Sequence, residues 1–297
     1  MNWKWFRYIL ILLTMKLLDH CHSCLRGLVE KAVSLSYGED EILSSAYSMI
    51  DDLWSTARTP PEIANKLLRF IKEKTGAYDP YLPIKTKEVE EAKKTINDLN
   101  KAFPKTLEGF IRLSALGNSM DFFCQDGYTI QNFDFSGDID KIEKEIYTKG
   151  SVVLLFADNV GELFFDMGLI RYLENLGKTV FYAAKEHPVQ NDLSMPDVER
   201  FGLRKAFPNI ISTGTDEVGM KREDMRGKIK ELWENDGVVI AKGMGNYETM
   251  SEFQEERPVI HIMKVKCPTV AHAVKRMVGQ YIAIIGGGKH GNEKRLL

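Results

Sequence analysis

The chain changes rhythm near residue 145. From about Ser23 to Arg112, apolar residues recur at three- and four-residue spacing through LRGLVEKAVSL, EILSSAYSMIDDLW, PEIANKLLRFIKEKTG and KTKEVEEAKKTINDLNKAF, the period of amphipathic helices. Pro60, Pro80 and Pro104 punctuate these segments, as proline does at helix starts and in loops. No repeat of fixed period and no low-complexity linker is present. After GDIDKIEKEIYTKG short apolar runs alternate with helical stretches: SVVLLFA, GELFFDMGLIRYLENLG, TVFYAAK, PDVERFGL and NIISTG, then a long helix near VGMKREDMRGKIKELWEND, then GVVIAKG, VIHIMKV, TVAHAVKRMV and YIAIIGGG. Strands that alternate with helices imply crossover connections and a sheet covered on both faces. The pattern predicts a three-layer α/β/α Rossmann-like domain with a mainly parallel sheet over residues 146–297, preceded by an all-helical domain over residues 15–145.

Composition narrows the class without changing this picture. With 297 residues, 44% of them hydrophobic and 28% charged, the chain can bury a full core. Forty basic residues stand against 42 acidic ones, so no basic field points to nucleic acid. Four cysteines are too few for a disulfide scaffold of this size, which predicts a reducing, cytoplasmic setting. Residues 1–14 mimic a signal peptide, with Lys4 and Arg7 ahead of an apolar run from Tyr8 to Leu13. The run is too short to span a bilayer, and no small-residue cleavage site follows it. It reads as a misassigned upstream start with Met15 opening the true chain, a weak membrane anchor being the lesser alternative. Composition leaves the oligomeric state open.

In an open α/β sheet, ligands bind at the carboxyl ends of the strands, and here each such end is polar. Asp158, Asn159 and Glu162 follow the first strand, Lys185, Glu186, Asn191 and Asp192 the second, and Thr213, Gly214 and Thr215 the third. KGMGNYE, residues 242–248, follows the fourth and KVKCP, residues 264–268, the fifth. Asp158 or Asn159 alone could be a helix cap, but capping does not explain five such ends. Asp158, Asn159 and Asp192 supply two carboxylates and one amide, hard oxygen donors suited to a divalent ion that keeps open positions for a phosphate oxygen and a water. Gly243 and Gly245 would let backbone N–H groups approach an anion, Asn246 would donate a further hydrogen bond, and Lys264 or Lys266 would neutralise a phosphate. Cys21 and Cys24 form a CxxC flanked by His20 and His22. At i and i+3 the two thiols share a helix face and could bind a second metal or act as a redox pair, although a four-ligand site would need Cys124, Cys267 or a histidine as well. Buried unreactive thiols are the simpler reading.

Taken together, ADNVGE, the Asn191-Asp192 pair, KGMGNYE and KVKCPTVA resemble, in order and spacing, the metal-dependent damage-control phosphatases, a family once described as acidic-residue methyltransferases. LGNSMDF, with Asn118 and Asp121, resembles the family too, and the CxxC resembles its archaeal and bacterial branch. The resemblance runs from about Asp19 through most of the chain. It implies a metal-dependent phosphatase acting on small phosphorylated metabolites, with Mg²⁺, Mn²⁺, Co²⁺ or Ni²⁺ held by Asp158, Asn159 and Asp192. Glu162, Asn118, Asp121, the turn formed by Gly243, Gly245, Asn246 and Tyr247, and Lys264 would contact the substrate, while Lys266 would serve the reaction together with Asp158 and Asp192. One departure stands out: Met263, Lys264, Val265 and Lys266 occupy the place of the Arg-Thr-x-Lys motif of the eukaryotic branch, so that branch's substrate preference does not carry over.

Two rival functions remain at this level. An S-adenosylmethionine-dependent carboxyl methyltransferase would need a glycine-rich loop after the first strand, where VGELFFD has a single glycine, although Glu186 could serve as the acid after the second. A non-catalytic sugar-phosphate or nucleotide-binding protein would use the same cradle as a phosphatase. A covalent aspartyl-phosphate mechanism is disfavoured, because the position two residues after Asp158 is Val160 rather than a second Asp.

Overall fold

The order of the strands determines where a ligand can sit. In this computed structural model, which describes residues 17–119 and 133–287, seven strands form one sheet: β1 (Phe135–Gly137), β2 (Val152–Phe156), β3 (Thr179–Ala184), β4 (Ile210–Ser212), β5 (Val238–Lys242), β6 (Val259–Lys264) and β7 (Tyr281–Gly286). They lie in the order β1-β7-β6-β5-β2-β3-β4. All neighbours are parallel except β6 and β7. From β2 the chain winds outward through β3 and β4, then returns to β5 on the other side of β2. The topological switch point, where open α/β sheets hold their ligands, therefore lies between the ends of β2 and β5.

The central strands are apolar throughout because both faces are covered. On one face Val153, Leu155, Val180, Tyr182, Val238, Ile240 and Ile260 pack against helices α4 (Leu82–Ala102), α5 (Leu107–Gly117) and α7 (Leu163–Asn175), through Val89, Leu113, Leu116, Phe165 and Leu169. On the other, Leu154, Phe156, Ala183, Val239 and Ala241 meet Met220, Met225 and the apolar side of α9 (Gly227–Glu234), with Ile229, Leu232 and Trp233. Helices α1 (Asp19–Leu35), α2 (Asp40–Trp54) and α3 (Pro60–Thr75) form a bundle with its own core of Leu25, Val29, Ile50, Ile63 and Leu67. Prolines 60 and 61 open α3, and Gly76, at φ 70°, closes it, the usual asymmetry of helix ends. Val189 from the loop after β3 is part of the bundle core, and Val218 from the loop after β4 packs against it. The bundle is thus seated on the two loops that flank the switch point.

Three sequence expectations change. The sheet reaches back past residue 145: β1 pairs with β7, and the α4 and α5 side chains share one core with the sheet, so only α1–α3 stand apart. β1 has three residues, too few to show a period. The long helix expected near residues 218–236 is shorter: α9 begins at Gly227, after an extended Arg226, because the preceding segment is bent to bury Met220 and Met225 under the sheet. KGMGNYE is a helix, α10 (Gly243–Met250), that follows β5 without a loop. Gly243, at φ 74°, makes that abrupt change of direction possible. Among the described residues no helix is long and apolar enough to cross a membrane; residues 1–14 lie outside them.

His261, on β6, is fully buried, its ring edge-on to Tyr247 at 5.1 Å, and neither ring nitrogen has a hydrogen-bond partner among the described residues. Burial lowers its pKa to about 3. A base whose pKa is lowered by folding contributes stability that is present above its unfolded pKa of about 6.5 and is lost as pH falls towards the folded value. His261→Phe should therefore flatten the fall in Tm between pH 6.5 and pH 3 relative to the wild type. Parallel Tm–pH curves for the two proteins would refute this account.

Candidate active site

The end of β2 enters the switch point as Asp158 and Asn159. Two hydrogen bonds, Val160 N–H to the Asn191 carbonyl at 3.0 Å and Leu193 N–H to the Asp158 carbonyl at 2.8 Å, zip this segment to the loop after β3. Asn159 and Asp192 pair directly as an isolated antiparallel bridge. Asp158, Asn159 and Asp192 are thereby brought together by main-chain bonding alone, with Asp192 and Asn159 buried and Asp158 half-buried.

Carboxamides orient this group. The Asn118 amide, at the end of α5, donates to Asp158 Oδ2 at 2.8 Å and to Glu162 Oε1 at 2.5 Å, while its oxygen accepts from Lys264 N–H at 2.9 Å. The Asn159 amide donates to Glu162 Oε1 at 2.7 Å and to Asp158 Oδ2 at 3.3 Å. Its Nδ2 faces two carboxylate oxygens and its Oδ1 accepts from the Asn191 amide at 2.9 Å, so the network itself assigns which end is oxygen. Lys185, buried at the end of β3, donates to the Gly219 carbonyl at 2.7 Å and lies 3.8 Å from Asp192 Oδ2. Burial lowers its pKa, against the opposing pull of Asp192 and Asp158.

Glu162, expected at the substrate, is paired with a lysine in the interior. It is fully buried beneath the site, 2.6 Å from Lys242 Nζ. Lys242 ends β5 and also meets Asp166 Oδ1 at 2.7 Å and the Ser114 carbonyl at 3.1 Å. Burial opposes its charge, but the Asp166 and Glu162 carboxylates outweigh burial and raise its pKa above the ordinary lysine value. Ser114 Oγ at 2.5 Å and the Tyr182 hydroxyl at 2.7 Å complete the shell of Asp166. The sequence does carry a signal for this network: a charged Asp166 inside LFFDMGLI and a Lys242 closing the apolar run VVIA.

The glycines divide. A Cβ on Gly243 would lie 2.0 Å from Asp158 Oδ2, so Gly243 is the backbone against which the carboxylate rests. Gly245, expected at the anion, instead faces Val218, whose Cγ1 would be 2.7 Å from an added Cβ. Both amide hydrogens of Asn246 go to the carbonyls of Ala157 and Lys242, at 3.1 and 2.8 Å, where they tie the ends of β2 and β5 together. Tyr247 is buried in a cluster with Met263, Val265 and Ile282. All three departures from the expected anion contacts follow from α10 starting at Gly243: a helix turns these side chains to different sides where a loop would have pointed them one way. Lys264 is buried, its ammonium 5.3 Å from the Tyr281 ring centre. Lys266 is half-buried just past β6, and its N–H donates to Met244 Sδ at 3.2 Å, beside the first turn of α10. Asp121 and Cys124 lie outside the described residues.

Of the CxxC, Cys21 is buried, with Sγ 3.4 Å from Thr269 Oγ1, and Cys24 is exposed. His20 Nε2 approaches the same Thr269 hydroxyl at 2.6 Å, and His22 pairs with Asp51 at 2.7 Å. Burial raises Cys267 to about 11, the range of an unreactive thiol. Among the described residues no three or more His, Cys, Asp or Glu side chains are grouped to hold a metal ion. The switch-point group itself has two carboxylates, its third donor being an amide.

A doubly wound sheet with carboxylates and carboxamides gathered at its switch point defines an α/β protein built around a small-molecule site. Within that class the chain belongs to the damage-control phosphatases: the damage-control phosphatase ARMT1-like domain matches residues 17–282. It is 29% identical over 287 residues to damage-control phosphatase PH1575 of Pyrococcus horikoshii, covering 91% of this chain and 98% of that protein. A protein named damage-control phosphatase from Archaeoglobus fulgidus is 23% identical over 289 residues, covering 91% of this chain and 99% of that protein. The crystal structure of a DUF89 family protein from P. horikoshii has the same fold, with a TM-score of 0.78 and 26% identity over 91% of this chain and 98% of that one.

The site separates fold from geometry at two neighbouring positions. Lys242→Met leaves Glu162 and Asp166 buried without their cation, an error that costs about 3–5 kcal/mol, and should lower Tm sharply or prevent folding. Gly243→Ala adds strain of roughly 1–2 kcal/mol at a left-handed position and displaces Asp158. That variant should still melt cooperatively while its phosphatase activity falls below detection; a Gly243→Ala enzyme of normal activity would show that Asp158 need not rest against this backbone.

Proposed function

We propose that this protein is a divalent-metal-dependent phosphatase that hydrolyses small phosphorylated metabolites, damaged ones among them. The observation that carries the reading is the convergence of Asp158, Asn159 and Asp192 at the switch point, with an amide oxygen oriented by its neighbours and Gly243 pressed against Asp158. Two carboxylates and a carboxamide form a hard-oxygen set suited to Mg²⁺, Mn²⁺, Co²⁺ or Ni²⁺ with positions left for other ligands, so the residues present fit such an ion. When bound, the ion would polarise a phosphoryl oxygen and ease deprotonation of water. The rest of the work falls to the chain. Helix α10 begins beside Asp158, and its N-terminal end favours an anion there. Lys266, whose N–H meets Met244 in that first turn, would offset charge on the phosphoryl oxygens. Lys185, 3.8 Å from Asp192 Oδ2, restrains that carboxylate.

Polar space also exists towards the β4 edge of the sheet, with none of its lining residues belonging to the switch-point group. A cavity of about 450 Å³ opens at the ends of β3 and β4, lined by Glu186, Ser212, Thr213, Thr215, Arg69 and Arg226 among others. Hydroxyl, carboxylate and guanidinium groups suit a hydroxylated, small substrate such as a sugar phosphate. This same lining weighs against S-adenosylmethionine, as do the burial of Val160, Gly161 and Glu162 where that cofactor would need an open glycine loop and the bond that Glu186 accepts from Ser212.

The reading is tested by assaying a panel of phosphate esters after chelation and then with each of the four metals restored singly. Activity should return with metal and should be absent in Asp158→Ala; full activity of that variant in chelator would refute it. Lys266→Ala should lower kcat/KM by about 10²-fold, as loss of a preorganised charge contact does, and Lys264→Ala, whose ammonium sits on Tyr281, should cost less. The reverse ranking would transfer the phosphate contact to Lys264.

A further inference from the structure

Helix α4 is not part of the sheet's switch point, yet two of its charged side chains are buried and turned inward. Lys85 reaches Asp197 Oδ2 at 2.9 Å and Asp79 Oδ2 at 3.3 Å. One turn further on, Glu88, 5% exposed, accepts at Oε1 from the Asn191 amide at 2.9 Å, and the same amide donates to Asn159 Oδ1 at 2.9 Å. Asn191 is itself 1% exposed, and its main-chain carbonyl accepts from Val160, so its position is held by the backbone independently of its side chain.

The chemistry of this chain of bonds has a direction. A carboxylate only accepts, so Glu88 requires the NH₂ end of Asn191. With that end fixed, its second hydrogen points at Asn159 and requires an oxygen there. The Asn159 NH₂ is meanwhile claimed by Asp158 and Glu162. Without Asn191, the Asn159 NH₂ would still be held by Asp158 and Glu162, but its oxygen would lose the donor that steadies it; with Asn191, the oxygen is fixed and one of its two lone pairs remains for a cation.

We propose that Asn191 and Glu88 are positioning residues for metal binding: Glu88 on α4 orients the Asn191 amide, which in turn presents the Asn159 carbonyl oxygen as a ligand. The proposal rests on the metal reading given under Proposed function. Neighbouring residues that orient a ligand in this way typically change metal affinity by 10–100-fold when removed. Neither residue touches substrate in this scheme, so their effect is on the affinity for metal and on the metal concentration needed for half-maximal rate, ahead of kcat at saturating metal.

The test is calorimetric titration of the metal-free full chain with Mn²⁺, alongside its Tm without metal and the metal dependence of phosphatase rate. Asn191→Ala and Glu88→Ala should each weaken Mn²⁺ binding by about 10–100-fold, with kcat recovering at high Mn²⁺. Glu88→Gln, which keeps an acceptor oxygen in the same place, should bind close to wild type. Should Asn191→Ala fail to fold, the contrast between Glu88→Ala and Glu88→Gln decides. Wild-type affinity in Asn191→Ala, or equal weakening in Glu88→Ala and Glu88→Gln, would overturn the relay while leaving the metal site standing. Undiminished Mn²⁺ binding in Asp158→Ala would instead overturn the metal assignment, and the relay with it.

Discussion

One buried lysine holds the two sides of the site together. Lys242 brings a single positive charge to Glu162 and Asp166, none of the three having measurable exposure. An isolated ion in such a place costs several kcal/mol, so each of these groups is tolerable only while the other two stay put. Glu162 in turn anchors the amides of Asn118 and Asn159, and Asn118 anchors Asp158 and the end of β6. Four strand and helix ends are therefore referenced to one ammonium group. The buried triad contributes little net stability by itself; what it does is leave Asp158 and Asn159 with one low-energy arrangement.

The fold then explains why that arrangement lies where a substrate can reach it. The switch point lies between the carboxyl ends of β2 and β5, from which the chain leaves towards opposite sides of the sheet. Asp158 and Gly243 approach each other there, so closely that only glycine fits. The bundle α1–α3 completes the enclosure by seating on loops 186–192 and 214–221 with Val189 and Val218. Asn65, on α3, binds both the N–H and the carbonyl of Val218. Gly219, the next residue, presents the carbonyl to which Lys185 is bound. A helix far from the chemistry in sequence thus fixes the lysine that faces Asp192.

How much of this the sequence shows depends on the range of the interactions involved. The strands β2, β3, β5 and β6 are legible because an apolar run of five or six residues between polar ends is too short for a buried helix and suits a strand covered on both faces. Their polar ends include Asp158, Asn159 and Asp192, which the fold brings together. In VVLLFADN, Asp158 and Asn159 read equally as caps or as ligands. Asn159 precedes a short helical turn and its N–H meets Glu162 at 3.4 Å, while its side-chain oxygen is turned the other way, to Asn191. Glu162 looks like a substrate contact in the sequence because a carboxylate six residues past the end of β2 gives no hint of the lysine beneath it. KGMGNYE looks like a turn because two glycines suggest a loop, whereas only Gly243 has a left-handed backbone. Glu88 and Lys85 are invisible: in KTKEVEEAKK they resemble any solvated helix face, and the partners that draw them inward, Asn191 and Asp197, lie more than 100 residues away in the chain.

The attachment of the helical elements to the α/β layers is graded. Helix α4 is joined by pairs that are fully or almost fully buried, Lys85 with Asp197 and Glu88 with Asn191. Separating such pairs would strand charges in a dry interface at a cost of several kcal/mol. Helix α3 is joined in addition by Arg69 with Glu217 and Lys72 with Asp216, side chains that reach solvent and whose pairing contributes about 0–1 kcal/mol each. Water can replace those bonds when they break, which it cannot do at Glu88. The residues that orient the Asn159 oxygen accordingly sit on the side of the site least able to relax, and the residues that border the polar cavity, Arg69 among them, sit on the side most able to. Rigidity is thus concentrated at Glu88 and Asn191, behind Asn159, and freedom at the solvent-reaching pairs Arg69 with Glu217 and Lys72 with Asp216.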